Sequence, residues 1–243
     1  MSNQTPNAPM MAGGSKPIFQ VWMDALTKPN EGTFAEMAAS PNAKAMTAYL
    51  WVFVGLLIEF ILSSLVQGQQ SEAMRRLLEQ YGVGNGAGGG GGGGIGAIIG
   101  AALCGAPIGA VIGTVFFAID VFIVQWIARM FGGKGTADQL AYALGAIAAP
   151  FSVILGVINL LSAIPFVGLC FGVVSFLASL YVLVLNIMAV KGVNQFGWGA
   201  AIGSLLIPAL VIGIVCGCLF FAVFAALGPT IGNIFSSINQ SLP

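Results

Sequence analysis

The chain has 243 residues, of which 58% are apolar and 7% charged, and eight basic residues balance eight acidic ones. An ordinary soluble domain carries about 25% charged residues, so this composition excludes a soluble globule and indicates a polytopic membrane protein. The absence of basic clusters excludes a nucleic-acid-binding protein, and the absence of histidine excludes every mechanism that needs an imidazole.

The N-terminal region divides into two parts. Residues 1–17 are polar, lack the apolar core of a signal peptide, and are predicted to be a disordered tail. Residues 18–44 are predicted to form two short amphipathic helices on the cytoplasmic side, with a capping box at Thr33 and Glu36 that starts the second helix. The apolar residues on the predicted faces are Phe19, Trp22, Met23, Leu26, Phe34 and Met37.

Two interpretations of this amphipathic segment stay open. The helices could lie on the membrane surface before the first span. Alternatively, their apolar faces could form a docking surface for a cytoplasmic partner. Because aromatic side chains are expected at the headgroup level in both cases, the composition of the segment does not discriminate between them.

Five apolar runs are long enough to cross the hydrocarbon core, which needs about 20 residues. Ser40 before Pro41 is expected to cap the first span, and Gly228 with Pro229 is expected to close the fifth. The predicted spans are residues 45–66, 107–130, 140–163, 167–190 and 200–227.

The connections between these spans are short except for one. Residues 67–94 are predicted to form an external loop with a short helix at residues 71–81 and a flexible glycine tract. Residues 95–104 are predicted to be an interfacial lead-in to the second span. Thr136 and Gln139 have capping-box spacing at the start of the third span, and residues 228–243 are predicted to be an external tail.

The distribution of basic residues predicts the orientation. With five spans, one side of the membrane contains six basic residues and the other contains Arg75 and Arg76. The positive-inside rule therefore predicts a cytoplasmic N-terminus and an external C-terminus in a cell membrane. The six residues are Lys16, Lys28, Lys44, Arg129, Lys134 and Lys191.

Polar groups inside the predicted spans are rare. Glu59 lies in the first span, Asp120 in the second, and Asn159 in the third at a depth similar to that of Glu59. A carboxylate in hydrocarbon costs several kcal/mol, so these side chains are expected to face the bundle interior as packing groups or to line a proton or cation pathway. Their depths differ by roughly 9 Å at about 1.5 Å per residue, which argues against a catalytic carboxyl pair.

Small residues recur at four-residue spacing in three spans, as Gly105, Gly109 and Gly113, then Gly168 and Gly172, then Gly213 and Gly217. Such rows let helices approach closely, and we expect packing within one chain. A contact between two copies of the chain stays open. The four cysteines, all in apolar stretches, are expected to be packing residues.

Several landmarks, taken in order, resemble the YIP family of Ypt/Rab-interacting membrane proteins in their prokaryotic form. The most specific is the glycine-rich connection between the second and third spans. The landmark residues are Gly132, Gly133, Lys134, Gly135, Thr136, Pro150, Pro165 and Pro208. The resemblance covers roughly residues 19–227 and implies an all-helical bundle with five spans and a cytoplasmic N-terminus.

The resemblance also implies a function without chemistry, because eukaryotic members are membrane adaptors that bind small GTPases. The acidic Asp-Leu-Tyr-Gly-Pro element of those members is absent here, so GTPase binding is not carried over. We therefore expect an all-α membrane protein that is not an enzyme and uses no cofactor. Its expected partners are the lipid bilayer and other membrane or cytoplasmic proteins, and the alternative function is a small proton- or cation-linked transporter or channel.

Overall fold

The computed structural model describes residues 17–80, 100–162 and 167–241, and within these ranges every regular element is a helix. Several predicted segments lie wholly or partly outside these ranges. They are nearly all of the N-terminal tail, the glycine tract, the first half of the lead-in, the turn with Pro165 and the last two residues. The helices are α1 (Ile18–Thr27), α2 (Glu31–Ala39), α3 (Ala45–Gln80), α4 (Ala106–Met130), α5 (Ala137–Ser162), α6 (Val167–Asn194) and α7 (Trp198–Ser241).

Five of these helices contain an apolar stretch long enough to cross a membrane, which confirms the predicted five-span, all-α bundle. Two short helices precede them, as expected. The stretches are Ala45–Val66, Leu103–Met130, Ala137–Ser162, Cys170–Asn194 and Trp198–Ala222.

Several helix boundaries differ from those predicted. A π-helical turn at Ala101–Gly105 continues directly into α4, so the helix of the second span begins before the predicted residue 107 and Pro107 lies within continuous helix. The fifth span does not end its helix at Gly228 and Pro229, since α7 runs on to Ser241. A proline inside a long membrane helix is tolerated when neighbouring groups satisfy the freed carbonyls.

Two predicted helix caps are wrong. Ser40 does not cap α3; it follows α2 in an extended conformation, and its Oγ accepts a hydrogen bond from the Asn42 N–H at 3.3 Å. The physical reason is distance along the chain, because α3 begins only at Ala45 and the Ser40 hydroxyl is not next to its first turn. Thr33 does not cap α2 either, because Asn30 accepts from the Thr33 N–H at 2.8 Å and starts the helix earlier.

The closest helix packing joins α3 and α5, which run parallel to each other. A Cβ on Gly145 would lie 2.9 Å from the Ala48 Cβ, and one on Gly156 would lie 3.0 Å from the Glu59 Cα. Between them, a Cβ on Gly55 would lie 2.6 Å from the Ala149 carbonyl oxygen. We call this row of small residues the α3–α5 seam; it permits backbone approach that larger residues would block.

The predicted small-residue rows have mixed outcomes. Gly109 and Gly113 in α4 do pack against α3, on Phe60 and Leu56 respectively. In contrast, Gly172, Gly213 and Gly217 would meet nothing within 4 Å if they carried a Cβ. In the second-span row, Gly109 and Gly113 therefore pack within the chain, but Gly105 meets nothing within 4 Å, like these members of the later rows.

The last helix belongs to the bundle only over its first part. Ala201, Ser204 and Pro208 of α7 are buried. From Ala209 to Cys216 every residue is exposed, which covers the full circumference of the helix over more than two turns. Over Ala209 to Cys216, α7 therefore packs against no other described helix on any side.

One end of the bundle is covered by polypeptide. It consists of α1, α2, the turn at residues 131–136 between α4 and α5, and the junction of α6 with α7. We call it the hairpin end, after the two consecutive short helices that lie on it.

The α3–α5 seam generates the first prediction. The variant Gly55→Ala would place a Cβ 2.5 Å from the Ser152 Oγ and 2.6 Å from a backbone oxygen, so the helices must separate. Overpacking of this kind costs about 1–3 kcal/mol. We expect a lower midpoint of thermal unfolding, measured by circular dichroism of the purified chain in detergent.

The matched control is Gly213→Ala, because a Cβ there meets nothing within 4 Å. It should leave the midpoint unchanged or raise it slightly, since alanine favours helix over glycine. Equal destabilisation by the two variants would contradict the seam.

Candidate functional site

Helix α1 is anchored on the bundle by its buried face. Val21 and Ala25 are buried, and the Trp22 and Trp51 rings meet edge to face with centroids 5.9 Å apart. The Tyr181 hydroxyl of α6 donates a hydrogen bond to the Leu26 carbonyl oxygen at 2.6 Å. These contacts attach α1 to two spans, so its remaining surface is presented in a defined orientation.

The depth of α1 follows from its contact with Trp51. Trp51 lies six residues after the start of α3, which corresponds to about 9 Å along the helix axis. Amphipathic helices at a membrane surface are buried about 5–10 Å into the boundary region. Tyr181 lies 13 residues before the end of α6, about 20 Å along that helix, so α1 packs against the sides of the two spans rather than on their ends, with Ile18, Phe19 and Met23 exposed.

Helix α2 turns its apolar side into the bundle. Phe34 is fully buried and Met37 is 7% exposed. A Cβ on Gly192 of α6 would lie 2.7 Å from the Glu31 carbonyl oxygen, so the two helices touch through their backbones. The Glu31 carboxylate forms an ion pair with the Lys191 ammonium group, which also lies 4.1 Å from the centroid of the Trp198 ring.

The six residues predicted to form a docking surface therefore differ in exposure, from the protein surface to the core. Phe19 and Met23 are exposed, at 71% and 43%, whereas Trp22 and Leu26 are half-buried. The α2 pair, Phe34 and Met37, is in the core. Helical periodicity identified the apolar faces of both short helices, but it did not indicate which face packs against the bundle. Docking by the exposed α1 residues stays a prediction.

The glycine-rich turn after α4 is packed against the end of α6. Gly132 has a φ of +85°, which favours glycine. A Cβ on Gly133 would lie 2.6 Å from the Asn194 Oδ1, and one on Gly135 would lie 2.7 Å from the Val193 Cγ1. Close approach to α6 therefore explains why small residues occupy this turn.

A buried polar cluster, formed by Gln125, Gly135 and Asn194, locks the turn in place. The Gln125 Nε2 donates to the Gly135 carbonyl oxygen at 2.7 Å and to the Asn194 Oδ1 at 2.9 Å. The Gly135 N–H donates to the same Asn194 Oδ1 at 3.2 Å, and the Asn194 Nδ2 donates to the Val190 carbonyl oxygen at 3.1 Å. We call these three residues the polar clamp.

The sequence analysis did not identify Gln125 or Asn194. Both are buried, at 2% and 0% exposure, although each is polar and lies near the end of an apolar span. A polar residue at such a position must satisfy its hydrogen bonds within the protein. The sequence therefore indicates that each of the two side chains needs a hydrogen-bond partner inside the protein. It does not indicate that they bond to each other, because 69 residues separate them.

The predicted capping box at the start of α5 is confirmed. The Thr136 N–H donates to the Gln139 Oε1 at 3.0 Å, and the Gln139 N–H donates to the Thr136 Oγ1 at 3.3 Å. The Gln139 Nε2 also donates to the Ala38 carbonyl oxygen at the end of α2, at 3.0 Å. The same side chain therefore caps one helix and holds another.

The prolines of the predicted motif have different surroundings. Pro150 lies inside α5, which continues through it. Pro208 is buried in α7, at the point where that helix leaves its neighbours. Pro165 lies outside the described residues.

The intramembrane carboxyls are far apart. Antiparallel packing places Gly113 opposite Leu56 and the Phe117 ring 6.2 Å from the Tyr49 ring. Asp120, three residues beyond Phe117, therefore lies about 15 Å from Glu59 along the axis at about 1.5 Å per residue. Glu59 is half-buried against Gly156 of α5, whereas Asp120 and Asn159 are exposed on the bundle surface.

The described residues contain no group of three or more His, Cys, Asp or Glu that could hold a metal ion. The four cysteines lie in these ranges with free, exposed thiols.

Comparison with known proteins gives one match. A family model described as the Yip1 domain matches residues 23–235, which is most of the chain. No curated protein and no solved structure matches this sequence.

The polar clamp generates the second prediction. The variant Asn194→Ala removes the acceptor of Gln125 and Gly135 and leaves buried donors unsatisfied, which costs about 1–3 kcal/mol. We expect a lower unfolding midpoint in detergent. Asn159→Ala, at an exposed asparagine, is the matched control and should leave the midpoint unchanged; a loss of stability only in that control would contradict the clamp.

Proposed function

The chain belongs to the Yip1 family, and we propose that this five-span membrane protein is an adaptor that recruits or organises partner proteins without chemistry of its own. The observation that supports this proposal best is the exposed apolar strip on α1, formed by Ile18, Phe19 and Met23. Exposed apolar side chains on a helix of fixed orientation are suited to contact a partner helix at the membrane boundary.

The anchoring of α1 is the second argument for recruitment. Trp22 packs against Trp51 and Leu26 accepts from Tyr181, so the strip does not have to be ordered when a partner binds. A binding surface that is ordered in advance avoids part of the entropy cost of association. Phe19 and Met23 are the members of the predicted docking surface that a partner could reach.

We propose that the hairpin end faces the cytoplasm of a cell. Five basic residues of the described chain belong to this end, whereas the sequence places Arg75 and Arg76 after the first span on the other side. An excess of basic residues marks cytoplasmic loops, so the N-terminus is cytoplasmic and the C-terminus external. The five residues are Lys28, Lys44, Arg129, Lys134 and Lys191.

The alternative, a proton- or cation-linked pathway through Glu59 and Asp120, receives less support from the geometry. A relay needs polar groups within hydrogen-bonding reach of one another or of bridging water. The separation of these carboxyls by about 15 Å along the axis leaves a long apolar interval between them. The adaptor proposal does not require any contact between them.

The third prediction tests the α1 strip. A photoreactive phenylalanine analogue in place of Phe19 should cross-link to a discrete protein in native membranes, because this side chain is 71% exposed. The adduct should be lost when Met23→Ser is added, since Met23 belongs to the same strip. Denaturing electrophoresis and mass spectrometry would identify the adduct.

The control places the same analogue at Met46, which is 75% exposed on α3 near the same end of the bundle. It should give no protein adduct. Lipid adducts alone at both positions would contradict recruitment through α1 and would favour a helix that only rests on the membrane.

The fourth prediction tests the topology. Because the number of spans is odd, a reporter fused before Met1 and one fused after Pro243 should be found on opposite faces of the membrane. We expect the N-terminal reporter to resist protease added outside intact cells and the C-terminal reporter to be cleaved. Protection of both would contradict the five-span topology.

A further inference from the structure

A small cleft opens at the hairpin end, in a place that the adaptor proposal does not use. It has a volume of about 160 Å³ and lies between α2, the glycine-rich turn and the end of α6. Residues that line it include Ala38, Ala39, Lys134, Gln139, Gly192 and Gln195.

The cleft exists because its walls are built from small residues. The α2 wall consists of alanines, and Gly192 of α6 touches the α2 backbone at Glu31. The backbones of α2 and α6 come close at Gly192, where a Cβ would also lie 3.0 Å from the Phe34 Cβ, and the small side chains beside this contact leave space. Since Gln139 donates to the Ala38 carbonyl oxygen, the cleft is braced on the α5 side as well.

The charge of the cleft is positive. Lys134 is the only ionisable residue among those that line it. Lys28 and Lys191, which lie at the same end, form ion pairs with Asp24 and Glu31. No ion pair of Lys134 occurs among the described residues, and its side chain is exposed at the surface.

A second donor lies at the rim. Gln195 has a φ of 54°, a left-handed conformation that glycine usually supplies at the C-terminal end of a helix. Because the chain has glutamine there, the terminus of α6 adds a residue with an amide side chain to the lining of the cleft. Lys134 and Gln195 together supply a cation and an uncharged hydrogen-bond donor.

The position and size of the cleft restrict its occupant. It lies where the apolar stretches of the second and fourth spans end and that of the third begins, which is where the headgroups of a bilayer around these spans are expected. Sites for drug-sized molecules have volumes of about 300–1,000 Å³, so this cleft is too small for a nucleotide. A single phosphate group, by contrast, suits a small cleft with one lysine at its mouth.

From these observations we propose that the cleft at Lys134 binds a phosphate group, carried either by the headgroup of an anionic phospholipid or by free inorganic phosphate. This site is independent of the α1 strip, and its loss leaves the adaptor proposal intact.

The test uses the full chain, purified in detergent and stripped of lipid. Native mass spectrometry would measure the binding of phosphatidylglycerol, with phosphatidylcholine as the zwitterionic comparison. We expect one tightly bound phosphatidylglycerol, whose dissociation constant rises about fivefold in Lys134→Gln, the effect of about one basic residue near an anionic membrane surface. Ala39→Leu, which narrows the cleft without changing its charge, should weaken binding too.

The matched control is Lys44→Gln, an exposed lysine at the same end that does not line the cleft. It should bind phosphatidylglycerol like the parent chain. Equal weakening by the two lysine variants would overturn the proposal in favour of general surface attraction, and so would unchanged binding in both Lys134→Gln and Ala39→Leu. Unfolding midpoints equal to that of the parent would show that the variants are folded.

The source of the phosphate is decided by competition. If inorganic phosphate displaces the lipid from the parent chain but not from Lys134→Gln, the phosphate group alone is recognised. If millimolar phosphate leaves the Lys134-dependent lipid in place, the site requires the attached lipid. Both results support a phosphate site, whereas displacement by phosphate that is equal in parent and variant contradicts it.

Discussion

The close approach of α3 and α5 is the contact on which the rest of the bundle depends. Lipid chains are as apolar as leucine, so helices in a bilayer associate through fitted packing rather than through the hydrophobic effect. Gly55, Gly145 and Gly156 let two parallel spans touch along their backbones. The first half of α5 is buried almost completely. Helix α3 lies on one side of this half, and α1, α2 and α6 pack around it.

Polar contacts at the hairpin end join elements that are distant in sequence. Gln139 links the start of α5 to the end of α2, Asn194 links α6 to the glycine-rich turn, and Lys191 links α6 to Glu31. Apolar packing alone is a weak guide to relative position, whereas these hydrogen bonds have defined partners. The surface of α1 and the cleft at Lys134 are both presented by this cross-connected end.

Much of this architecture follows from local sequence. Apolar length gave the five spans, and the spacing of Thr136 and Gln139 gave the capping box. Features that depend on tertiary contacts were missed. Rows of small residues occur in several spans, and their spacing in the sequence does not indicate which row packs against another helix. The docking residues show the same limit, because Phe34 and Phe19 have similar patterns but only one is buried.

The isolation of α7 beyond Pro208 has a mechanical consequence. A helix whose hydrophobic length differs from the thickness of the bilayer adjusts by tilting, and neighbouring helices normally limit that tilt. The spans α3 and α5 are joined along their seam and must tilt together. Between Ala209 and Cys216, α7 is exposed on every side and no described helix limits its tilt, so this part of α7 can change its angle as the bilayer thins or thickens while the seam holds α3 and α5 together.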